Sequence, residues 1–87
     1  MRIDILIKPG EKCEQHKSVL GLAARAVNAR VEINQTSDFA AFSNCAIHSS
    51  QTPAIIINGN VEFTGKTLDL EAVKKRLAEI VRFGGSI

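Results

Sequence analysis

The reading of the fold turns on Thr52-Pro53-Ala54-Ile55-Ile56-Ile57-Asn58-Gly59-Asn60-Val61-Glu62-Phe63-Thr64. Ala54 to Ile57 is an apolar run ending in three β-branched residues. Asn58-Gly59 is the pair that a type I′ turn favours, because both central residues of that turn need positive φ. Val61 to Thr64 alternates as a returning strand. The segment therefore reads as a β-hairpin. An isolated hairpin is not stable in water, so the rest of the chain must supply neighbouring strands and covering helices.

Upstream, Arg2 to Lys8 reads as a strand with Ile3, Ile5 and Ile7 on one face and Leu6 on the other, so both faces are expected to be covered. Pro9-Gly10 breaks it. A helix follows from about Cys13 to Asn28, with Val19, Leu22, Ala23, Ala26 and Val27 at helical spacing. Gly21 weakens this helix and suggests close packing. Val31 to Asn34 is a short strand. Thr36-Ser37-Asp38 opens a short, weak helix with Phe39, Phe42 and Ala46 as its inner face, and Ser49 to Thr52 is a polar loop. Downstream of the hairpin, Gly65-Lys66 is a break. Thr67 or Asp69 caps a last helix to about Arg82, with Leu70, Val73, Leu77, Ile80 and Val81 as its stripe and Gly84-Gly85 as its end. The order β-α-β-α-β-β-α predicts an α/β fold: a parallel β-α-β unit plus an antiparallel hairpin, giving a four-stranded mixed sheet with helices on both faces.

The bulk properties agree with one small domain spanning 1–87. The chain has 87 residues, 45% hydrophobic and 23% charged; at this size roughly 60–65% of the unfolded surface can be buried, enough for a small core. No apolar run approaches the roughly 20 residues of a membrane span, so no membrane partner is expected. Met1-Arg2-Ile3-Asp4 alternates polar and apolar residues and lacks a signal peptide's continuous apolar region, so a cytoplasmic location is expected, with the whole chain as the mature chain. The net charge is +2, with no Trp or Tyr, and the pI is about 8.7. Lys74-Lys75-Arg76 is the one basic cluster, and Glu71 and Glu79 around it make it a solvated helix face. Neither a basic footprint nor a base-stacking platform is present, so no nucleic acid partner is expected.

The hairpin stretch resembles the threonine, cis-proline, strand, Asn/Asp-Gly turn, strand segment of the small, glutaredoxin-sized redox-active disulfide proteins of the thioredoxin superfamily. The Gly65-Lys66 break and the final amphipathic helix fit the same pattern, so the resemblance spans essentially the whole chain. It implies a thioredoxin-like fold. It also implies a Cys-x-x-Cys site at the start of the first helix, a substrate groove shaped by Thr52 and cis-Pro53, and no cofactor. Protein or low-molecular-weight thiols and disulfides are the implied partners.

This chain departs from that motif. The stretch reads Lys12-Cys13-Glu14-Gln15-His16-Lys17. Two registers are open. With Cys13 as the first motif cysteine, Val19, Leu22, Ala26 and Val27 fall on the family's apolar positions, and His16 replaces the resolving cysteine. With Cys13 as the second, Gly10 holds the first position and the stripe fits less well. The first register is preferred, giving a degenerate Cys-x-x-His site with Cys13 and His16 as the catalytic pair. A thiolate is the reactive species in thiol–disulfide exchange. The helix N-terminus, Lys12, Lys17 and a protonated His16 would lower the Cys13 pKa, while Glu11 and Glu14 oppose. The expectation is a thiol more acidic than the free value of about 8.5, working in a monothiol cycle resolved by an external thiol.

Two alternatives stand beside it. The fold can persist without the chemistry, leaving a non-catalytic binding or regulatory module that uses the Pro53 groove. Cys13-x-x-His16 and Cys45-x-x-His48 also repeat one spacing, which would make a Cys2His2 metal site if the fold joined them. Chelating pairs seldom lie on helices, so no metal is expected, with Cys45 as packing and His48 in a surface loop.

Overall fold

A computed structural model describes residues 1–83. It contains β1 (Arg2–Leu6), α1 (Glu14–Ala26), β2 (Glu32–Thr36), 3₁₀ segments at Phe39–Cys45 and Ser49–Gln51, β3 (Ala54–Ile57), β4 (Asn60–Thr64) and α2 (Leu70–Phe83). The sheet order is β2-β1-β3-β4. β1 runs parallel to β2 and antiparallel to β3, and β3 is antiparallel to β4. This is the four-stranded mixed α/β sheet expected from the element order. Gly84-Gly85, read as the end of the last helix, lie outside the described residues.

The hairpin turn is built as its residues require: φ is +51° at Asn58 and +88° at Gly59, both positive as in a type I′ turn. The returning strand does not alternate throughout. Ile55 pairs with Phe63 and Ile56 with Val61, so Glu62 is the extra residue of a β-bulge. Its carboxylate receives two Arg76 N–H bonds, at 2.7 and 3.0 Å, which fasten α2 to β4.

The two faces of the sheet are covered unequally. Ile3, Ile5 and Ile7 of the β1 segment and Ile55 and Ile57 of β3 pack with Leu20, Ala23 and Ala24 of α1 and Val73 and Leu77 of α2. The opposite face carries Leu6, Ala54 and Ile56 under the half-buried Phe39, Phe42 and Ile47. Asp4 is also buried on that face and pairs with Arg2 at 3.2 Å. The expected middle helix is instead a 3₁₀ segment, kinked at Phe42, where φ is −120°. Asp38 caps its start by accepting from the Ala41 amide. Ala46 lies past the end of the segment and is exposed, so only the two phenylalanines form the expected inner face.

The α1 stripe also differs from the expected one. Its buried residues are His16, Leu20, Ala23 and Ala24, while Leu22 is 51% exposed and Ala26 faces solvent. Spacing at i, i+4, i+7 and i+8 is the same helical period turned by about one residue. In α2 the stripe holds for Val73 and Leu77, but Val81 is exposed. No described helix is long and apolar enough to cross a membrane.

Candidate functional site

The chain leaves β1 through Pro9-Gly10 and enters α1 at Cys13, which occupies the N-cap position but makes no side-chain cap bond. Its thiol instead donates to Gln35 Oε1 on β2 at 3.3 Å. This is possible because β2 lies beside β1, with Gln35 opposite Ile5. The opposite wall comes from the hairpin entry. The Ser49–Gln51 turn leads to Thr52, whose hydroxyl donates to Ser49 O at 2.8 Å, and then to Pro53 through a cis bond. Thr52 and Pro53 are both buried.

Between these walls lies a cleft of about 360 Å³. Cys13, His16, Pro53 and Lys66 line it, together with Glu11 and its neighbours at the helix start. The structure therefore brings the expected Cys13, His16 and Pro53 to one cleft, whereas Thr52, buried and joined to the proline by the cis bond, does not line it.

The electrostatics of Cys13 overturn the expected acidity. Cys13 is 3% exposed. Burial pushes its thiol above the ordinary value; Lys17 pulls the other way, and Glu14 and Glu11 add to the rise. The helix start and the lysines are legible in the sequence, whereas the loss of solvent at Cys13 is not. His16 is bonded elsewhere. Its Nε2 lies 3.0 Å from Gly65 O, so it engages a backbone carbonyl 49 residues away rather than Cys13. Glu11 is held below the usual carboxylate range. Burial would raise it, but the Lys8 amide and the Lys8 and Lys66 charges together outweigh that. Because the one Thr52 proton is already donated to Ser49, the bond from the Lys8 amide at 2.9 Å is the one that counts.

The remaining cysteine and histidine lie elsewhere. Cys45 is half-buried, with its sulfur 3.8 Å from Gly59 O at the hairpin turn. Cys13 shares its cleft with Pro53, at the other end of β3. That strand is four residues long, or roughly 13 Å at about 3.3 Å per residue. Among the described residues no group of three or more His, Cys, Asp or Glu side chains is placed to hold a metal ion. The Cys2His2 alternative needs Cys13, His16, Cys45 and His48 at one point, whereas Cys13 and Cys45 lie toward opposite ends of β3, and Cys45 is in no position to resolve a disulfide at Cys13 without rearrangement.

Sequence reasoning missed two contributors. Gln35 carries no motif and enters only because the parallel strand register sets it against Cys13. Gly65 was read as a break, yet its amide donates to Gln51 O at 2.9 Å and Pro53 O at 3.2 Å. Its φ is +109°, and a Cβ placed there would meet nothing within 4 Å. Gly65→Ala is therefore expected to cost about 1–2 kcal/mol through backbone strain alone, measured by denaturant unfolding. A cost near zero would show that the segment shifts freely.

Comparison with known families places these features in context. A family model described as a thioredoxin domain matches residues 1–78. Searches of curated proteins and of solved structures find no match.

Proposed function

Since the chain belongs to the thioredoxin-domain family, we propose that it serves as a thioredoxin-fold binding module. In this reading the cleft between the α1 start and Pro53 receives an extended, peptide-like partner, and Cys13 is a sheltered thiol of low reactivity. One observation carries the proposal: Cys13 is 3% exposed and its thiol is pushed up by burial. Nucleophilic attack needs both thiolate and access, and this cysteine is short of both.

The choice of register changes with it. Leu22 and Ala26, which favoured Cys13 as the first motif position, point to solvent. The exposed position three residues earlier, where a partner would meet an attacking thiol, is Gly10. In that register the chain keeps the sheltered cysteine and lacks the attacking one. A single-thiol exchange protein, with Cys13 attacking and His16 beside it, stays as the second reading. It is favoured by the fact that Cys13 lines the cleft.

Two measurements separate the readings. With iodoacetamide near neutral pH, Cys13 of the folded protein is expected to react more slowly than Cys45, and the difference should vanish in denaturant. Glutathione-dependent turnover of a glutathionylated peptide should be no greater than in Cys13→Ser. Faster reaction at Cys13, together with turnover lost in Cys13→Ser, would establish single-thiol exchange instead. Reduced glutathione, used as a small peptide-like probe, should shift amide resonances of residues 11–16 and Lys66. Shifts confined to another surface would reject the cleft as the binding site.

A further inference from the structure

We infer that His16 is a positioning residue, which sets the spacing between the α1 start and the Pro53 wall by holding Gly65. The inference rests on the cleft-binding reading above and adds the element that fixes the cleft's shape.

His16 lies in the first turn of α1 and is 4% exposed. Its Nε2 is 3.0 Å from the Gly65 carbonyl. A carbonyl oxygen only accepts, so Nε2 carries the proton and donates. The same glycine turns its amide the other way, to Gln51 O and Pro53 O. Gly65 is thus gripped on its carbonyl side by the helix, and on its amide side it grips the segment that presents Pro53. The bonds run in series from α1 through Gly65 to the proline, and both His16 and Pro53 line the cleft. Lys66, which follows Gly65, lines it too, so the same grip places a charged side chain at the cleft.

The geometry separates this role from a catalytic one. The donor nitrogen of His16 is committed to Gly65, and the Cys13 thiol is committed to Gln35. A ring of this size also fills the α1 stripe between Cys13 and Leu20. An apolar replacement of similar bulk keeps that packing and removes only the bond. The carboxamide of glutamine retains an N–H that can reach the carbonyl.

The test compares the parent protein with His16→Leu and His16→Gln by amide hydrogen exchange. His16→Leu is expected to accelerate exchange at Gly65 about tenfold, the scale of one lost hydrogen bond. Exchange at Ile5 and Leu20 in the core should stay at parent rates. The Lys66 amide shift should move as well, since its peptide plane carries the accepting carbonyl. Alkylation of Cys13 should accelerate as the cleft loosens, and His16→Gln should restore Gly65 protection. Unchanged exchange at Gly65 in His16→Leu would overturn the proposal. So would equal acceleration at all three residues, which marks loss of global stability alone, or failure of His16→Gln to restore Gly65. If neither variant folds, long-range nitrogen–proton correlation on the parent protein decides: a proton on Nε2 supports the bond, and a neutral ring protonated only on Nδ1 rejects it. None of these readouts needs a ligand. A parent protein that fails to bind glutathione at the cleft therefore counts against the binding reading and not against this one.

Discussion

Ile5→Ala is expected to lower the unfolding free energy by about 3–4 kcal/mol, near the upper end for deletion of a large buried aliphatic side chain. A domain of this size has only about 5–10 kcal/mol in total, so the variant should keep about 1–7 kcal/mol. Ile5 lies on a central strand with no exposed surface, opposite Gln35 on one side and Ile55 on the other, beneath both α-helices. The surrounding groups are held by two helices and two strands and cannot collapse into the space. Ile56 offers an internal contrast. It is equally buried, yet it faces the side covered only by 3₁₀ segments and half-exposed phenylalanines. That cover can settle inward, so Ile56→Ala is expected to cost less, about 2–3 kcal/mol. Urea unfolding of both variants measures the difference. An equal or larger loss for Ile56→Ala would mean that the thin face is as rigid as the helical one.

The same contrast explains what the sequence disclosed. The hairpin was legible because Asn58-Gly59 is a local signal, and the turn forms from its own residues whatever surrounds it. Ile3, Ile5 and Ile7 were legible because two-residue alternation in β-branched residues leaves little choice of structure. The α1 stripe was legible at Ala23 but misassigned at Leu22 and Ala26, because hydrophobicity alone ranks Leu22 above Ala24 and His16. Leu20, two alanines and one histidine form the buried line, the histidine because Gly65 O accepts its hydrogen bond. The middle helix failed for a related reason. Between Phe39 and Ala46 only three positions carry large or medium apolar groups, too few to hold an α-helical period against the kink at Phe42. Cys13 and His16 were legible in the helix-start stretch, Thr52 and Pro53 through the resemblance, and Cys13, His16 and Pro53 line one cleft. The state of the thiol was not legible, since burial is set by residues distant in the chain, with Gln35 donated by the parallel strand and Pro53 by the hairpin entry.

That unseen burial gives the second large effect, a loss of stability at alkaline pH that depends on Cys13. The thiol pKa is raised in the folded protein, so the folded state holds its proton more tightly than the unfolded state does. The associated stabilisation is fully present below the unfolded value, about 8.5–9. It is lost as pH rises toward the folded value, because the unfolded chain releases the proton first and unfolding is favoured by that release. Each unit of separation between the two values is worth about 1.4 kcal/mol. The parent protein is therefore expected to become less stable as pH rises through the window that opens at about 8.5. Cys13→Ser keeps a donor for Gln35 and has no thiol to ionise, so its curve over that window should be flatter. Chemical denaturation at several pH values measures both slopes. The sign also bears on function. An activated thiol, with its folded pKa lowered, would make the parent protein gain stability relative to Cys13→Ser as pH rises from the folded value toward the unfolded one. A relative gain would point back to single-thiol exchange, and a relative loss shows a cysteine that the fold holds in its neutral, unreactive form.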